Sequence, residues 1–172
     1  MYRVGDLILY GKTGICRVEG FEEKSLSHGE APSLYYILCP LYQSGQIYAP
    51  TDRVSDGTIF TRPIMNREEA VAFIRSLPTL DAQPYYNLNL TQPKDHYRRQ
   101  LQTPSCQDLA LLMRSIYVKR QEVREKNRKL TMVDQAFLDE AQALLYGELA
   151  AALGIAREEV PGYIESTLNG AL

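Results

Sequence analysis

The hydrophobic period of this chain changes once, near residue 66, and that change dictates two differently built parts. Upstream, apolar residues come in short runs or alternate, punctuated by glycine and proline, as strands do. Asp6-Leu7-Ile8-Leu9-Tyr10 is a run of β-formers, and Gly11-Lys12-Thr13-Gly14 is a glycine-bracketed turn. Ile15 to Lys24 alternates imperfectly, with Gly20 marking a bulge or tight bend. Ser27-His28-Gly29-Glu30-Ala31-Pro32 is a turn cluster. Leu34-Tyr35-Tyr36-Ile37-Leu38-Cys39, apolar on both faces, reads as a buried central strand. Gln46-Ile47-Tyr48-Ala49-Pro50 and Thr58-Ile59-Phe60-Thr61 supply a fourth and a fifth. About five short strands predict a small, strongly bent Tudor/SH3-like β-barrel over residues 1–62.

Downstream, residues 63–172 read as a compact all-α domain, so the chain as a whole is α+β. Asn66-Arg67-Glu68-Glu69 has the form of a capping box, and Ala70, Phe73, Ile74 and Leu77 give an amphipathic stripe that Pro78 stops. Thr91-Gln92-Pro93 opens a second helix, since proline is tolerated in the first turn. A longer helix starts about Ser105 or Gln107, with Leu109, Leu112, Met113, Ile116 and Tyr117 as its core face. Thr131-Met132-Val133-Asp134 starts another, which runs to Gly154, a natural C-terminal stop. A short last helix falls within residues 157–168, its first residue blurred by Pro161.

The net charge of −2 hides a strong asymmetry. Residues 94–129 hold ten Lys and Arg against four acids, a net +6, whereas residues 130–172 hold one base against seven acids, a net −6. Arg120, Arg124 and Arg128 share one helix face at i, i+4 and i+8. Such a face either follows nucleic-acid phosphates, releasing counterions, or is solvated and paired with acids at little gain; spacing leaves both open. The first part carries only −1, a poor grip for a phosphate backbone. It offers the strand around Tyr48, where Pro50 belongs at a sheet edge. Tyr48 there either pairs with a partner's strand or packs on its own sheet.

Sites for chemistry are missing from the pattern. Neither GxxxxGK[ST] nor GxGxxG occurs. His28 and His96 belong to no nucleophile–base set, and adjacent Asp95 does not face His96 on a helix. Three scattered cysteines, Cys16, Cys39 and Cys106, read as structural thiols rather than a zinc site. No apolar run approaches the ~18 residues of a membrane span, and Met1 leads into no signal-like segment. The expectation is a cytoplasmic, non-enzymatic protein with no cofactor and no small-molecule substrate.

The ordered set Tyr2-Arg3-Val4-Gly5-Asp6-Leu7-Ile8-Leu9-Tyr10, Gly14-Ile15-Cys16-Arg17-Val18-Glu19-Gly20, Tyr35-Tyr36-Ile37-Leu38, Ile47-Tyr48-Ala49-Pro50-Thr51 and Arg62-Pro63-Ile64 resembles the CarD/CdnL family of bacterial transcription regulators. The N-terminal part also resembles the RNA-polymerase-interacting domain of transcription-repair coupling factor. Tyr97-Arg98-Arg99-Gln100-Leu101 and the stretch from Leu138 to Ala150 resemble the family's helices.

The resemblance implies a barrel that binds the β subunit of RNA polymerase through its edge strand, by Lys24, Ile47, Tyr48 and Pro50. It implies a helical domain that contacts promoter DNA at the upstream edge of the transcription bubble and modulates the open complex. Arg98 matches a basic position of the family, and with Pro93, Arg99, Lys119, Arg120 and Arg124 makes the expected DNA-binding set. Two polymerase-contacting basic positions of the family fall on Lys24 and Tyr48, the latter without charge. Characterised members open their second helix with a tryptophan wedge; this chain has no Trp, and Pro93 stands there. That departure, with the acidic final helices, motivates an alternative: a polymerase-tethered protein–protein adaptor that lacks DNA binding.

Overall fold

The computed structural model describes residues 1–25, 31–86 and 92–170. The chain divides into two compact units, Met1–Met65 and Asn66–Leu172. It is an α+β protein, with strands in the first unit and helices through the second. Among the described residues no helix is long and apolar enough to cross a membrane.

The first unit is one antiparallel sheet of β1 (Leu7–Tyr10), β2 (Gly14–Lys24), β3 (Ser33–Pro40), β4 (Ile47–Pro50) and β5 (Thr61–Pro63), in the order β4-β3-β2-β1-β5. Edge positions therefore fall to β4 and β5, each of which ends in a proline, as β3 also does at Pro40; proline has no ladder donor to offer. Gly14, at φ +93°, lets the β1–β2 hairpin turn where a side chain would be strained. The β2–β3 register shifts between Val18 and Gly20, a bulge that bends the sheet where the sequence places one. Ile8, Cys16, Val18, Tyr36, Leu38 and Ala49 form the core on one face, with Tyr2, Tyr10, Ile47 and Val54 packed against it. Burial, then the nearby Cys39, pushes the Cys16 thiol up to about 11, so it is an inert packing group.

The last strand differs from the expectation of Thr58–Thr61. A short helix, α1 (Thr51–Ser55), follows β4, and the chain then folds back on it: the Ile59 amide donates to the Arg53 carbonyl at 2.9 Å. The Asp56 carboxylate accepts from the Thr58 amide at 2.8 Å. Those turn bonds occupy the backbone of residues 56–59, so ladder pairing starts only at Thr61.

The second unit comprises α2 (Arg67–Ser76), α3 (Gln92–Gln100), α4 (Cys106–Glu125), α5 (Met132–Leu153) and α6 (Val160–Leu168). Three starts are closed by reciprocal capping boxes: Asn66 with Glu69, Ser105 with Asp108, and Thr131 with Asp134. Pro78 ends α2, whose chain tightens into a single 3₁₀ turn at Leu77–Thr79. Gly154, at φ +68°, terminates α5. A 3₁₀ turn, Arg157–Glu159, precedes α6, and Pro161 sits harmlessly in the first turn of that helix. The core is built from Leu109, Leu112 and Ile116 of α4 against Leu145, Leu149 and Leu153 of α5, with Tyr97 from α3.

Candidate interaction surfaces

Strand pairing sets one surface of the first unit. Gly20, Ile37 and Tyr48 lie side by side across β2, β3 and β4; Glu22, Tyr35 and Pro50 form the next row, and Lys24 and Ser33 the one after. Because side chains alternate, all three rows share the face opposite the core. There the Lys24 ammonium sits over the Tyr48 ring, 3.4 Å from its centroid, and 3.4 Å from the Glu22 carboxylate. Contact with Tyr48, then with Glu22, pushes the Lys24 pKa up and keeps it cationic. Tyr48 remains 38% exposed on the edge strand. Gly20 contributes no side chain to the row, which keeps this face low beside Ile37. Lys24, Tyr48 and Pro50 thus gather on one face. Ile47 does not join them: its row, Val18–Leu38–Ile47, points into the core.

In the second unit the expected DNA-binding residues separate. Pro93 is half-buried in the first turn of α3. Arg98 is exposed but paired with Asp95 at 3.6 Å, and Arg99 donates from Nε to the Asp95 carbonyl of its own helix at 3.2 Å. His96 stacks flat on Tyr85 at 3.9 Å; burial, then the Arg99 charge, lowers its pKa. His28 and Thr91 lie outside the described residues.

Lys119 has to be withdrawn from the set. It is 7% exposed, and its ammonium donates to Asp134 at 2.8 Å. Asp134, wholly buried, also accepts from the Tyr97 hydroxyl and the Thr131 hydroxyl, each at 2.8 Å. Burial alone would raise the Asp134 pKa, but the bonds from Lys119, Thr131 and Tyr97 and the lysine charge outweigh it and leave the carboxyl lowered. The same carboxylate caps α5, so one residue ties α3 and α4 to the start of α5. A buried cation already matched by a buried anion has nothing left for a phosphate.

Arg120 and Arg124 stay on the surface of α4, Arg120 lying 4.7 Å from the centroid of the Tyr117 ring. They line an open concavity together with Arg128 and Lys129. Arg98 and Arg99 are not part of that lining. The i, i+4, i+8 spacing reached Arg128, but Lys129 enters only through the turn beyond α4, which helical periodicity does not see.

None of the curated proteins matches this chain at a significant level. Residues 2–62 match the family model of the CarD-like/TRCF RID domain, which covers the whole sheet but β5's last residue and leaves the helical unit outside. That family interacts with RNA polymerase. The sheet through Arg62, with its bulge and its β4 edge strand, falls within the matched residues, so the N-terminal unit of this chain is similar to the CarD-like/TRCF RID domain, whose family is tied to RNA polymerase in transcription.

Proposed function

We propose that the chain is a non-enzymatic regulator of transcription in the bacterial cytoplasm, bound to the β subunit of RNA polymerase by its first unit. Its helical unit then works on promoter DNA near the upstream bubble edge and modulates the open complex. The observation that carries the reading is the β4 edge, where an exposed Tyr48 stands under Lys24 beside Pro50. An edge strand offers unpaired backbone groups to a partner's strand, and an aromatic next to a cation gives that contact an anchor. Net charge supports the division of labour: near neutrality where protein is to be bound, +6 over residues 94–129 where phosphate is.

The alternative, an adaptor whose helices bind another protein, is favoured by two observations: Lys119 is spent inside the fold, and Arg98 is paired with its own helix. Binding of the full chain to a purified β-subunit lobe tests the polymerase half. Tyr48→Ala is expected to weaken binding while the thermal midpoint stays put; unchanged binding contradicts the edge-strand reading. A promoter footprint separates regulator from adaptor, since an adaptor leaves the bubble edge unprotected.

A further inference from the structure

Helix α4 ends in a closed turn rather than a frayed one. The Arg128 amide donates to the Val123 carbonyl at 2.7 Å and the Asn127 amide to the Arg124 carbonyl at 2.9 Å. With Asn127 at φ +53°, this is the paired-bond cap that usually takes glycine. It reverses the chain sharply and delivers it to Thr131, the cap of α5. Arg128 and Lys129 are thereby held beside Arg120 and Arg124 instead of trailing into solvent.

The result is an open concavity of about 630 Å³ lined, among the described residues, by four cations and no carboxylate. Among the described residues none of the four is ion-paired, in contrast to Arg98 and Lys119. The nearby Glu122 is turned to the Tyr86 hydroxyl, which donates to it. Met132 stands on the same rim, 90% exposed. An isolated exposed methionine means little. One set among four unneutralised cations matches a ligand that is anionic along its backbone and apolar at its edges, as a nucleic-acid strand is. Arg120 and Arg124 are one helical turn apart, ~6 Å of rise, far enough for the two cations to meet separate phosphates of one strand.

We infer that this turn between α4 and α5 is the DNA grip of the helical unit: Arg120, Arg124, Arg128 and Lys129 take successive backbone phosphates, and Met132 lies against sugar and base edges where pairing ends. The inference rests on the reading that the helical unit works on DNA, and it moves the contact from α3 to the far end of α4.

The test is anisotropy of the full chain on a forked promoter duplex, from about 50 to about 200 mM salt. For Arg124→Ala/Arg128→Ala the slope of log K against log salt is expected to shrink by about two, one per lost phosphate contact. For Arg98→Ala/Arg99→Ala it stays at the wild-type value. The reverse pattern overturns this inference and leaves DNA binding standing at α3. No salt-dependent binding by the wild-type chain defeats the inference together with the DNA reading beneath it. Equal affinity for an RNA fork of the same sequence overturns the assignment to DNA. Met132→Ala is expected to keep the slope but lose the preference for forked over fully paired duplex; a preserved preference removes Met132 from the contact. All five residues are exposed, and a thermal melt of each variant checks that it is folded.

Discussion

Lys119 of α4 and Asp134 of α5 meet at 2.8 Å, their side chains 9% and 0% exposed. Two opposite charges so far from water hold each other in place, and either alone would be a liability. Asp134→Ala strands a buried ammonium, and Lys119→Met strands a buried carboxylate; each is expected to cost about 3–5 kcal/mol in urea unfolding. The double variant Lys119→Met/Asp134→Leu is expected to be more stable than the sum of the singles implies, because no charge is left unpaired. Additive losses would mean that the two side chains contribute independently.

Acid is predicted to undo the same contact. The Asp134 pKa is lowered in the fold from an unfolded value of about 3.9. The folded state therefore binds this proton less readily than the unfolded one. Its stabilisation is complete above the ordinary carboxylate range and disappears as pH falls through the folded value. In a series of urea titrations at falling pH, Asp134→Asn is expected to show a flatter decline below about pH 4 than the wild type. An identical decline in both would show that other carboxyls govern acid unfolding.

Backbone conformation sets a third expectation. Asn127 holds φ +53° at the end of α4, so Asn127→Ala is expected to lose about 1 kcal/mol of stability, whereas Asn127→Gly loses none. Within the sheet unit, Gly14→Ala at φ +93° is expected to destabilise by about 1–3 kcal/mol. Gly20→Ala is tolerated, because an added methyl there meets only the end of Ile37 at 3.7 Å. Equal effects at Gly14 and Gly20 would contradict this description of the hairpin and the bulge.

What could be read from the chain beforehand was whatever its neighbours in sequence decide. The boxes of Asn66 with Glu69 and Thr131 with Asp134 lie within four residues, and both helix starts stand where those residues put them. The fifth strand began late because an amide at Ile59 found a carbonyl at Arg53, a choice that β-propensity at Thr58-Ile59-Phe60 does not register. Ile47 and Tyr48 were adjacent members of one expected site, yet a strand sends neighbours to opposite faces, and only Tyr48 reaches solvent with Lys24. Lys119 carried a legible warning: it falls three residues after Ile116 and seven after Leu112, on the stripe that α4 buries. Its membership of a basic run masked that spacing. The convergence of Lys129 and Met132 with Arg120 was not legible, since it depends on how the chain reverses between two helices.

If the first unit grips polymerase as proposed, β4 is the border that binding must cover. Amide hydrogen exchange of the full chain, with and without purified RNA polymerase, reads that border directly. Residues 47–49 are expected to slow markedly on binding, with Tyr48→Ala abolishing the effect. Protection confined to β5 or to the helical unit, with residues 47–49 exchanging as in the free protein, would contradict it.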